Sequence, residues 1–258
     1  MNDCVFMLKL QPRIVLIGGT GMVGTVLQDQ LKKDKTDFVL VGRDVANYNF
    51  LKDKIKPGDI VYYLATENKS SKWEDFYKVN VVGVKNIVKI CKKISVAKLI
   101  YVSTVMVFDK DGIVRKNNTG NFYIDSKVMG LKYIKNNLDK NFYIVYPGVV
   151  LYRDFRYKKQ IRTTIDKIKN YLGFFTQGGL MMMVGSNKRK FKYIYIDELV
   201  ERLLNLDNHK EVMAVTGEMT VRQYIGLASK RTRFWSFRIP SVITKIRNLF
   251  YKNKLILE

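Results

Sequence analysis

Two segments of the sequence place a tyrosine and a lysine at a spacing that could support acid–base chemistry. Tyr123 and Lys127, in the run NFYIDSK, are four residues apart, and so are Tyr48 and Lys52. On a helix, residues four apart share one face, so the lysine ammonium would lie close to the phenol. That charge favours the phenolate, so a group with a pKa near ~10 could act at neutral pH. Because the chain holds 16 tyrosines, about two such pairs are expected by chance, and the surrounding elements must decide between them.

The elements that position these residues alternate between strands and helices. Apolar, β-branched runs predict strands, and amphipathic segments between them predict helices. Predicted strands cover 13–19, 38–42, 59–66, 97–104 and 141–150, and predicted helices cover 22–34, 72–94 and 122–138. This alternation is typical of a parallel sheet with crossover helices. We therefore predict an α/β fold: a doubly wound parallel sheet of the Rossmann type with a small C-terminal substrate lobe.

The alternation weakens after about residue 150, which suggests a division of the chain. A length of 258 residues fits one large domain or a nucleotide-binding domain with a small appendage. We predict a dinucleotide-binding domain over 12–150. The remaining residues, 151–258, are predicted to form a smaller substrate-binding region that ends in a basic tail.

A glycine-rich turn, GGTGMVG, connects the first predicted strand to the first predicted helix. Its glycines would permit a tight turn at Gly18, close approach of a pyrophosphate at Gly21, and packing of helix on strand at Gly24. The phosphates would then bind the free N–H groups at the helix N-terminus. The predicted cofactor contacts in this turn are Gly18, Thr20, Gly21, Met22, Val23 and Gly24.

The end of the second predicted strand should set the choice of dinucleotide. An NAD enzyme usually has a carboxylate there to accept the ribose hydroxyls. This chain has Gly42 followed by Arg43, and a guanidinium can bind a 2′-phosphate in a fork while the glycine leaves room for it. We therefore predict NADP(H), with NAD(H) as the alternative because Asp44 comes next.

Composition excludes several other classes of protein. The chain is 47% hydrophobic and 27% charged, which is typical of globular proteins. It has one histidine and two cysteines without a ligand-like spacing, so we expect no metal site and a reducing, cytoplasmic location. No apolar run reaches the ~20 residues of a membrane-spanning helix. The net charge of +23 is spread along the whole chain without a recognised nucleic-acid reading motif, so we expect no nucleic-acid partner.

The order of the motifs resembles that of a known enzyme family. GGTGMVG, YLAT, FYKVNVVGVKNI, LIYVST, YIDSK, YPGVV and KYIYIDELV follow one another over about residues 13–205. This series resembles the extended short-chain dehydrogenase/reductases, the family of nucleotide-sugar epimerases, dehydratases and reductases. In that family, the catalytic pair lies on the helix after a strand that ends in Ser or Thr. Tyr123 and Lys127 follow such a strand, whereas Tyr48 and Lys52 do not.

The resemblance implies roles for individual residues. Thr104 would hydrogen-bond the substrate oxygen, Tyr123 would pass it a proton, and Lys127 would also hold the nicotinamide ribose. Asn80 matches a family asparagine that helps to hold the long helix near the site, although an ordinary polar contact within the helix is an alternative. Tyr146 stands where many relatives have Arg, so cofactor contact there is expected through the backbone. The further cofactor contacts implied are Leu64, Ala65, Thr66, Asn80, Tyr123, Lys127, Tyr146, Pro147, Gly148 and Val149.

The residues after Thr104 favour one branch of the family. Sugar dehydratases have Asp-Glu at this point, where this chain has Val105 and Met106. STVMVFDKDG instead resembles the STDYVFDG segment of dTDP-4-dehydrorhamnose reductases. We therefore predict an NAD(P)H-dependent reductase of a keto-sugar nucleotide, in surface polysaccharide or nucleotide-sugar biosynthesis. The alternatives are an epimerase on the same site, a reductase of a non-sugar ketone, and a nucleotide-binding regulatory protein without turnover.

The predicted partners are a nucleotide sugar or another small ketone and, by family habit, a second copy of the chain in a homodimer. The segment from 230 to 258 carries eight basic residues and one acid. It could form an interfacial helix that docks on anionic lipid, which would place a cytoplasmic enzyme at the membrane surface. The alternative is a terminal helix packed on the substrate lobe with its charges in solvent.

Overall fold

The fold is known from a computed structural model, which describes residues 12–42, 44–153, 190–206, 210–220, 223, 224 and 227, and the backbone of 174–177, 180–184 and 235–239. Two features of the sequence analysis, Arg43 and nearly all of the basic tail, lie outside the described residues.

Twelve strands, six α-helices and two short helices of other types are described. The strands are β1 (Ile14–Ile17), β2 (Phe38–Val41), β3 (Ile60–Tyr63), β4 (Lys98–Val102), β5 (Phe142–Pro147), β6 (Val149–Leu151), β7 (Phe174–Gln177), β8 (Leu180–Val184), β9 (Lys190–Tyr195), β10 (Glu211–Ala214), β11 (Gly217–Thr220) and β12 (Trp235–Ile239). The helices are α1 (Met22–Lys33), α2 (Tyr48–Lys52), α3 (Trp73–Phe76), α4 (Gly83–Lys93), α5 (Phe122–Asn137) and α6 (Ile196–Leu204). A π-helix (Tyr77–Val82) joins α3 to α4, and a 3₁₀-helix (Val105–Val107) follows β4.

Six parallel strands form the central sheet, in the order β10-β5-β4-β3-β1-β2. All four residues of β1 are buried, because a parallel sheet is covered on both faces and its strands read as continuous apolar runs. Helices α1, α4 and α5 cover the sheet with apolar stripes that include Leu27, Ile87 and Leu131. Burying each such side chain contributes roughly 1.5–3 kcal/mol. The predicted doubly wound α/β fold is therefore confirmed.

The chain divides into two compact units. The first unit comprises 1–148 and 197–214 and contains the six-stranded sheet. The second comprises 149–196 and 215–258 and contains two three-stranded sheets, β11-β9-β6 and β12-β8-β7. Helix α6 and strand β10, which follow the predicted boundary near residue 150, thus belong to the first unit. The sequence-based boundary itself stays a prediction.

Two of the predicted elements are each divided in the structure. The strand predicted over 141–150 is interrupted at Gly148, so that β5 lies in the large sheet and β6 pairs with β9 in another sheet. The interruption is stabilised by a hydrogen bond from the Gly148 N–H to the Ala214 carbonyl, 3.0 Å. The helix predicted over 72–94 is α3, the π-helix and α4 in succession. Among the described residues, no helix is long and apolar enough to cross a membrane.

Candidate active site

The glycine-rich turn lies between the end of β1 and the start of α1. Gly18 has a φ of +78°, and a Cβ atom there would lie 2.5 Å from the backbone nitrogen of Ala65. Any side chain would therefore be strained and would collide with the loop after β3. A Cβ at Gly24 would collide with the backbone of Gly19, so the helix packs directly on the turn. Both observations agree with the structural reasons given for these glycines.

The start of α1 fits the phosphates of a dinucleotide. Gly21 is the N-cap residue, no side chain caps the helix, and its first turn contains no acidic residue. The only described atom near a Cβ at Gly21 would be the Gly18 carbonyl oxygen, at 3.4 Å. The N–H groups and the positive end of the helix dipole therefore face a space that a pyrophosphate could fill.

The end of β2 leaves room for an additional phosphate. Val41 is buried, whereas, apart from the adjoining residues, no atom of the described residues lies within 4 Å of the position that a Cβ on Gly42 would take. Asp44 is exposed. Val45 and Ala46, the residues after Asp44, accept hydrogen bonds from Asn86. Its Nδ2 donates to their carbonyls at 3.1 and 2.8 Å. The preference between NADP and NAD depends on Arg43, and it stays a prediction.

The helix α5 presents Tyr123 in its first turn and Lys127 one turn later. Asn121 caps the helix by accepting a hydrogen bond from the Ile124 N–H at 3.1 Å. Tyr123 is half-buried and lies near Tyr101, so that a Tyr123 phenolate would raise the pKa of Tyr101. The second pair, Tyr48 and Lys52, lies on α2, a short helix that packs against α4. The two pairs thus occupy different elements, as the sequence predicts.

Lys127 is buried, with only 1% of its surface exposed. Its Nζ donates a hydrogen bond to the carbonyl of Val102, the last residue of β4, at 2.8 Å. The same Nζ lies 4.5 Å from the centroid of the Tyr101 ring. Burial lowers the pKa of Lys127 from its usual 10.5 to about 7, because the interior disfavours the charged form.

Thr104 lies two residues beyond the carbonyl that Lys127 contacts. It is 6% exposed, and its Oγ1 accepts a hydrogen bond from the Met106 N–H at 3.3 Å, which caps the 3₁₀-helix. Its own hydroxyl proton remains available for a substrate oxygen. Within the described part of the chain, the neighbouring buried hydroxyls of Tyr101 and Ser103 make no hydrogen bond of good geometry, although they lie close enough to interact with each other. The end of β4 and the start of α5 therefore bring a threonine, a tyrosine and a lysine to the same edge of the sheet.

Asn80 is the centre of a buried network that connects this edge to the loop after β3. It lies in the π-helix and is 1% exposed. Its Oδ1 accepts from the Glu67 N–H at 2.9 Å and from the Thr66 hydroxyl at 3.3 Å. Its Nδ2 donates to the Glu67 carbonyl at 3.0 Å and to the Ser126 hydroxyl at 2.9 Å, and Ser126 in turn donates to the Tyr123 carbonyl at 3.0 Å.

Sequence reasoning missed Ser126 and Tyr101. Ser126 is fully buried immediately before Lys127, and Tyr101 lies three residues before Thr104, so proximity in sequence was the available signal. Nothing local in the sequence indicates that Asn80 would reach Ser126, because the two are 46 residues apart. A Cβ on Gly130 would lie 2.5 Å from the Asn80 carbonyl oxygen, so this glycine allows α5 to approach the π-helix closely.

The other predicted cofactor residues lie in two loops. Leu64, Ala65 and Thr66 follow β3, where Ala65 faces Gly18. Tyr146 and Pro147 end β5, and Gly148 and Val149 follow. The Tyr146 hydroxyl donates to Glu211 Oε2 at 2.7 Å, and Glu211 Oε1 lies 2.8 Å from Lys135 Nζ. The side chain of Tyr146 is thus engaged with β10, which agrees with a backbone role for this segment.

The fold is of the Rossmann type, and the candidate site lies at the carboxyl edge of its parallel sheet. The chain belongs to the NAD dependent epimerase/dehydratase family, whose pattern it matches over residues 14–215. Among curated proteins, it is 24% identical over 217 residues to human sterol-4-alpha-carboxylate 3-dehydrogenase, decarboxylating, covering 73% of this chain and 55% of that protein. The chain therefore spans about half the length of this relative.

Solved structures of low sequence identity share the fold. A dTDP-4-dehydrorhamnose reductase from Clostridium acetobutylicum is 17% identical, with a TM-score of 0.68 over 88% of this chain and 83% of that one. The Bacillus anthracis dTDP-4-dehydrorhamnose reductase, solved with NADP, is 19% identical, with a TM-score of 0.67 over 90% and 84%. The Thermus thermophilus UDP-glucose 4-epimerase, solved with NAD, is 15% identical, with a TM-score of 0.67 over 88% and 86%.

Proposed function

We propose that this protein is an NADPH-dependent reductase of a keto-sugar nucleotide. The observation that carries the proposal is the convergence of Thr104, Tyr123 and Lys127 at the carboxyl edge of the sheet, where the Lys127 ammonium contacts the last residue of β4. In α/β sheets of this kind, ligands bind at that edge. The uncapped start of α1, which follows β1, supports a phosphate site at the same edge of the fold.

The three residues divide the work of a carbonyl reduction. When bound, a reduced nicotinamide supplies the hydride that adds to the carbonyl carbon. Thr104 donates a hydrogen bond to the carbonyl oxygen and orients it. Tyr123 transfers its phenolic proton to that oxygen, which completes the alcohol. The Lys127 ammonium stabilises the resulting phenolate, and its further N–H groups can hold a ribose hydroxyl.

Preference for NADPH is supported by the space at Gly42 and by the arginine that follows it in the sequence. Binding of a 2′-phosphate needs both room and a positive charge. Of the relatives, a reductase was solved with NADP and an epimerase with NAD, so the family accommodates both cofactors.

Reduction rather than dehydration is supported by the residues after Thr104. Val105 and Met106 form the 3₁₀-helix with Val107, and neither carries a carboxyl group that could remove a proton and assist the loss of water. The two dTDP-4-dehydrorhamnose reductases with the same fold are consistent with this branch. An epimerase on the same site would return the hydride to its substrate and consume no net cofactor.

A second candidate is supported by the human relative, whose name specifies a sterol-4-alpha-carboxylate dehydrogenase. The same Thr, Tyr and Lys arrangement could transfer hydride to or from an apolar ring ketone or alcohol. The residues that would select between a sugar and a sterol fall largely in 151–258, the predicted substrate-binding region. Homodimerisation, cytoplasmic location and membrane contact through the basic tail stay predictions.

Cofactor binding tests the proposal first. Titration with NADPH and NADH is followed by fluorescence on the wild type and on Arg43→Ala. We expect NADPH to bind more tightly than NADH, and the difference to shrink in the variant. If neither cofactor binds, the enzyme assignment fails.

Turnover then tests the reaction class. Oxidation of NADPH is measured with a panel of keto-sugar nucleotides and, separately, of steroid ketones. Tyr123→Phe should lose at least about 100-fold in kcat, because it cannot donate the proton. Tyr48→Phe is the matched control: its hydroxyl belongs to the second Tyr–Lys pair and has no described partner. Equal losses in both variants would remove Tyr123 from the mechanism. Substrate conversion without net NADPH consumption would favour the epimerase.

A further inference from the structure

Lys127 holds a charged group in the protein interior with little to compensate its burial. Within the part of the chain that the structure describes, the ion pairs join other residues, Arg13 to Asp59 and Lys135 to Glu211. The one hydrogen bond described for Lys127 Nζ is to the neutral carbonyl of Val102. An isolated ammonium in such a place normally loses its proton.

The Tyr101 ring provides the missing compensation. Lys127 Nζ lies 4.5 Å from the ring centroid, well inside the ~6 Å range of cation–π attraction. Tyr101 is itself 1% exposed. Burial raises its pKa well above the usual value, so the ring stays a neutral phenol and attracts the cation through its π face rather than through a negative charge.

The ring is fixed in this position by its surroundings. Tyr101 lies in β4 between β3 and β5. The Tyr63 ring packs against it with a centroid separation of 6.0 Å, and Tyr63 is in turn fixed by a hydrogen bond to the Val79 carbonyl at 2.9 Å. A Cβ on Gly130 would lie 3.3 Å from the Tyr101 hydroxyl, so α5 closes over the ring from the other side.

We propose that Tyr101 is a positioning residue for the reaction: its ring holds Lys127 in the protonated form and directs the ammonium to the edge of the sheet beside Thr104. The proposal deepens the proposed function, on which it rests for its effect on turnover. Its physical part, the support of a buried ammonium by a π face, stands without any substrate.

The other groups around Lys127 do not supply this support. Among the described residues, the cation–π contact of Lys127 Nζ is with the ring of Tyr101, and not with that of Tyr63 or Tyr123. Asp125, the carboxylate nearest in sequence, uses Oδ1 to accept from the N–H and hydroxyl of Thr119 at 2.9 and 2.8 Å. The pKa of Lys127 is lowered by burial. Removing the Tyr101 ring should therefore lower the pKa of Lys127 further.

A pair of variants separates the ring from the hydroxyl. Tyr101→Phe keeps the ring and removes a hydroxyl that has no described partner. Tyr101→Leu removes the ring, and Tyr101→Met is a second ring-free variant of flexible shape in case leucine impairs folding. Tyr62→Leu is the control for lost volume, because this buried tyrosine of β3 bonds instead to the Leu203 carbonyl.

The first readout is the titration of the Lys127 side chain by NMR in the cofactor-free protein, assigned with Lys127→Met. We expect the proton affinity of Lys127 to fall about tenfold or more in Tyr101→Leu or Tyr101→Met. It should stay within about twofold of the wild type in Tyr101→Phe and Tyr62→Leu. A folded ring-free variant with an unchanged Lys127 titration overturns the proposal, whatever the enzyme turns out to reduce.

The second readout is the pH dependence of turnover. Because loss of the Lys127 proton should end activity, it should set the alkaline limb of the pH profile of kcat. We expect this limb to lie at lower pH in Tyr101→Leu than in the wild type, and at the wild-type position in Tyr101→Phe. A fall in kcat that is equal at every pH would indicate lost packing alone and would overturn the positioning role. If no ketone is reduced by any variant, the proposed function fails while the NMR titration still decides the role of Tyr101.

Discussion

Lys127 carries an amine into the core, where its pKa falls from 10.5 to about 7 because burial disfavours the charge. Between these two values the unfolded chain binds more protons at this site than the folded one. The free energy of unfolding therefore rises with pH across that window. Below pH ~7 the folded protein must bury the cation and is least stable with respect to this group.

Replacing Lys127 by methionine should remove this pH dependence. We expect the variant to be more stable than the wild type at pH 6, and the difference to shrink or reverse by pH 9. Urea unfolding at several pH values measures it, and the other titrating groups cancel because both proteins share them. Parallel stability curves for the two proteins would show that Lys127 does not lose its proton in this range.

Gly18 and Gly42 offer a matched test of the dinucleotide site. At Gly18 the backbone has a φ of +78° and a new Cβ would lie 2.5 Å from the backbone nitrogen of Ala65. At Gly42 a new Cβ would meet no atom within 4 Å among the described residues beyond the adjoining ones. We expect Gly18→Ala to cost about 1–3 kcal/mol of stability and to abolish tight cofactor binding. Gly42→Ala should fold like the wild type.

Calorimetric titration with NADPH and urea unfolding measure both variants. Gly42→Asp extends the test, because a carboxylate at this place should repel a 2′-phosphate and accept ribose hydroxyls, which shifts preference towards NADH. Tight NADPH binding by Gly18→Ala would place the cofactor elsewhere.

At the scale of elements, the π-helix connects the loop after β3 to helix α5, which carries Tyr123 and Lys127. Asn80 uses both ends of its amide there, and its links to Glu67 and Ser126 join the loop after β3 to the first turn of α5. π-helical segments often occur at functional sites. Here the wider turn of the π-helix carries the buried side chain of Asn80.

Asn80→Ala should therefore impair both stability and turnover. It leaves the hydroxyl of Ser126 and the backbone of Glu67 without their partner, at a cost of about 2–3 kcal/mol. We expect kcat to fall more than the KM for NADPH rises, because Tyr123 loses its positioning. Asn86→Ala is the comparison: it frees the carbonyls of Val45 and Ala46 beside the end of β2, so it should weaken cofactor binding more than it slows turnover.

Urea unfolding and steady-state kinetics of the two variants check this contrast. If Asn80→Ala and Asn86→Ala change kcat and KM in the same proportion, the network around Asn80 stabilises the fold without positioning the site.

The elements differ in how far the sequence could predict them. The turn from Gly18 to Gly24 was predictable because strand, turn and helix are contiguous and each glycine has a local reason. The end of strand β5 near Gly148 was not predictable from the sequence. The apolar run NFYIVYPGVV is continuous, and the change of sheet within it depends on the pairing of β5 with β10 and of β6 with β9. The contacts of Asn80 with Ser126 and of Lys127 with Tyr101 likewise join segments that only the folded chain brings together.

At the scale of the whole molecule, the sequence contains 46 basic and 23 acidic residues, which gives a net charge of +23. Among the described residues, the ion pairs are those of Arg13 with Asp59 and Lys135 with Glu211. Many of the remaining lysines, including Lys89, Lys92 and Lys132 on α4 and α5, are exposed. Mutual repulsion between like charges destabilises a compact state, because unfolding lets the charges separate.

Salt should therefore stabilise this protein. The Debye length shortens to about 8 Å at physiological ionic strength, which screens repulsion between distant lysines more than it weakens the buried contacts of the core. We expect the midpoint of thermal unfolding to rise steadily between low and moderate sodium chloride, while NADPH, an anion, binds less tightly over the same range. A midpoint that falls with salt would mean that native ion pairs outweigh the repulsion, and that the excess charge is balanced within the fold.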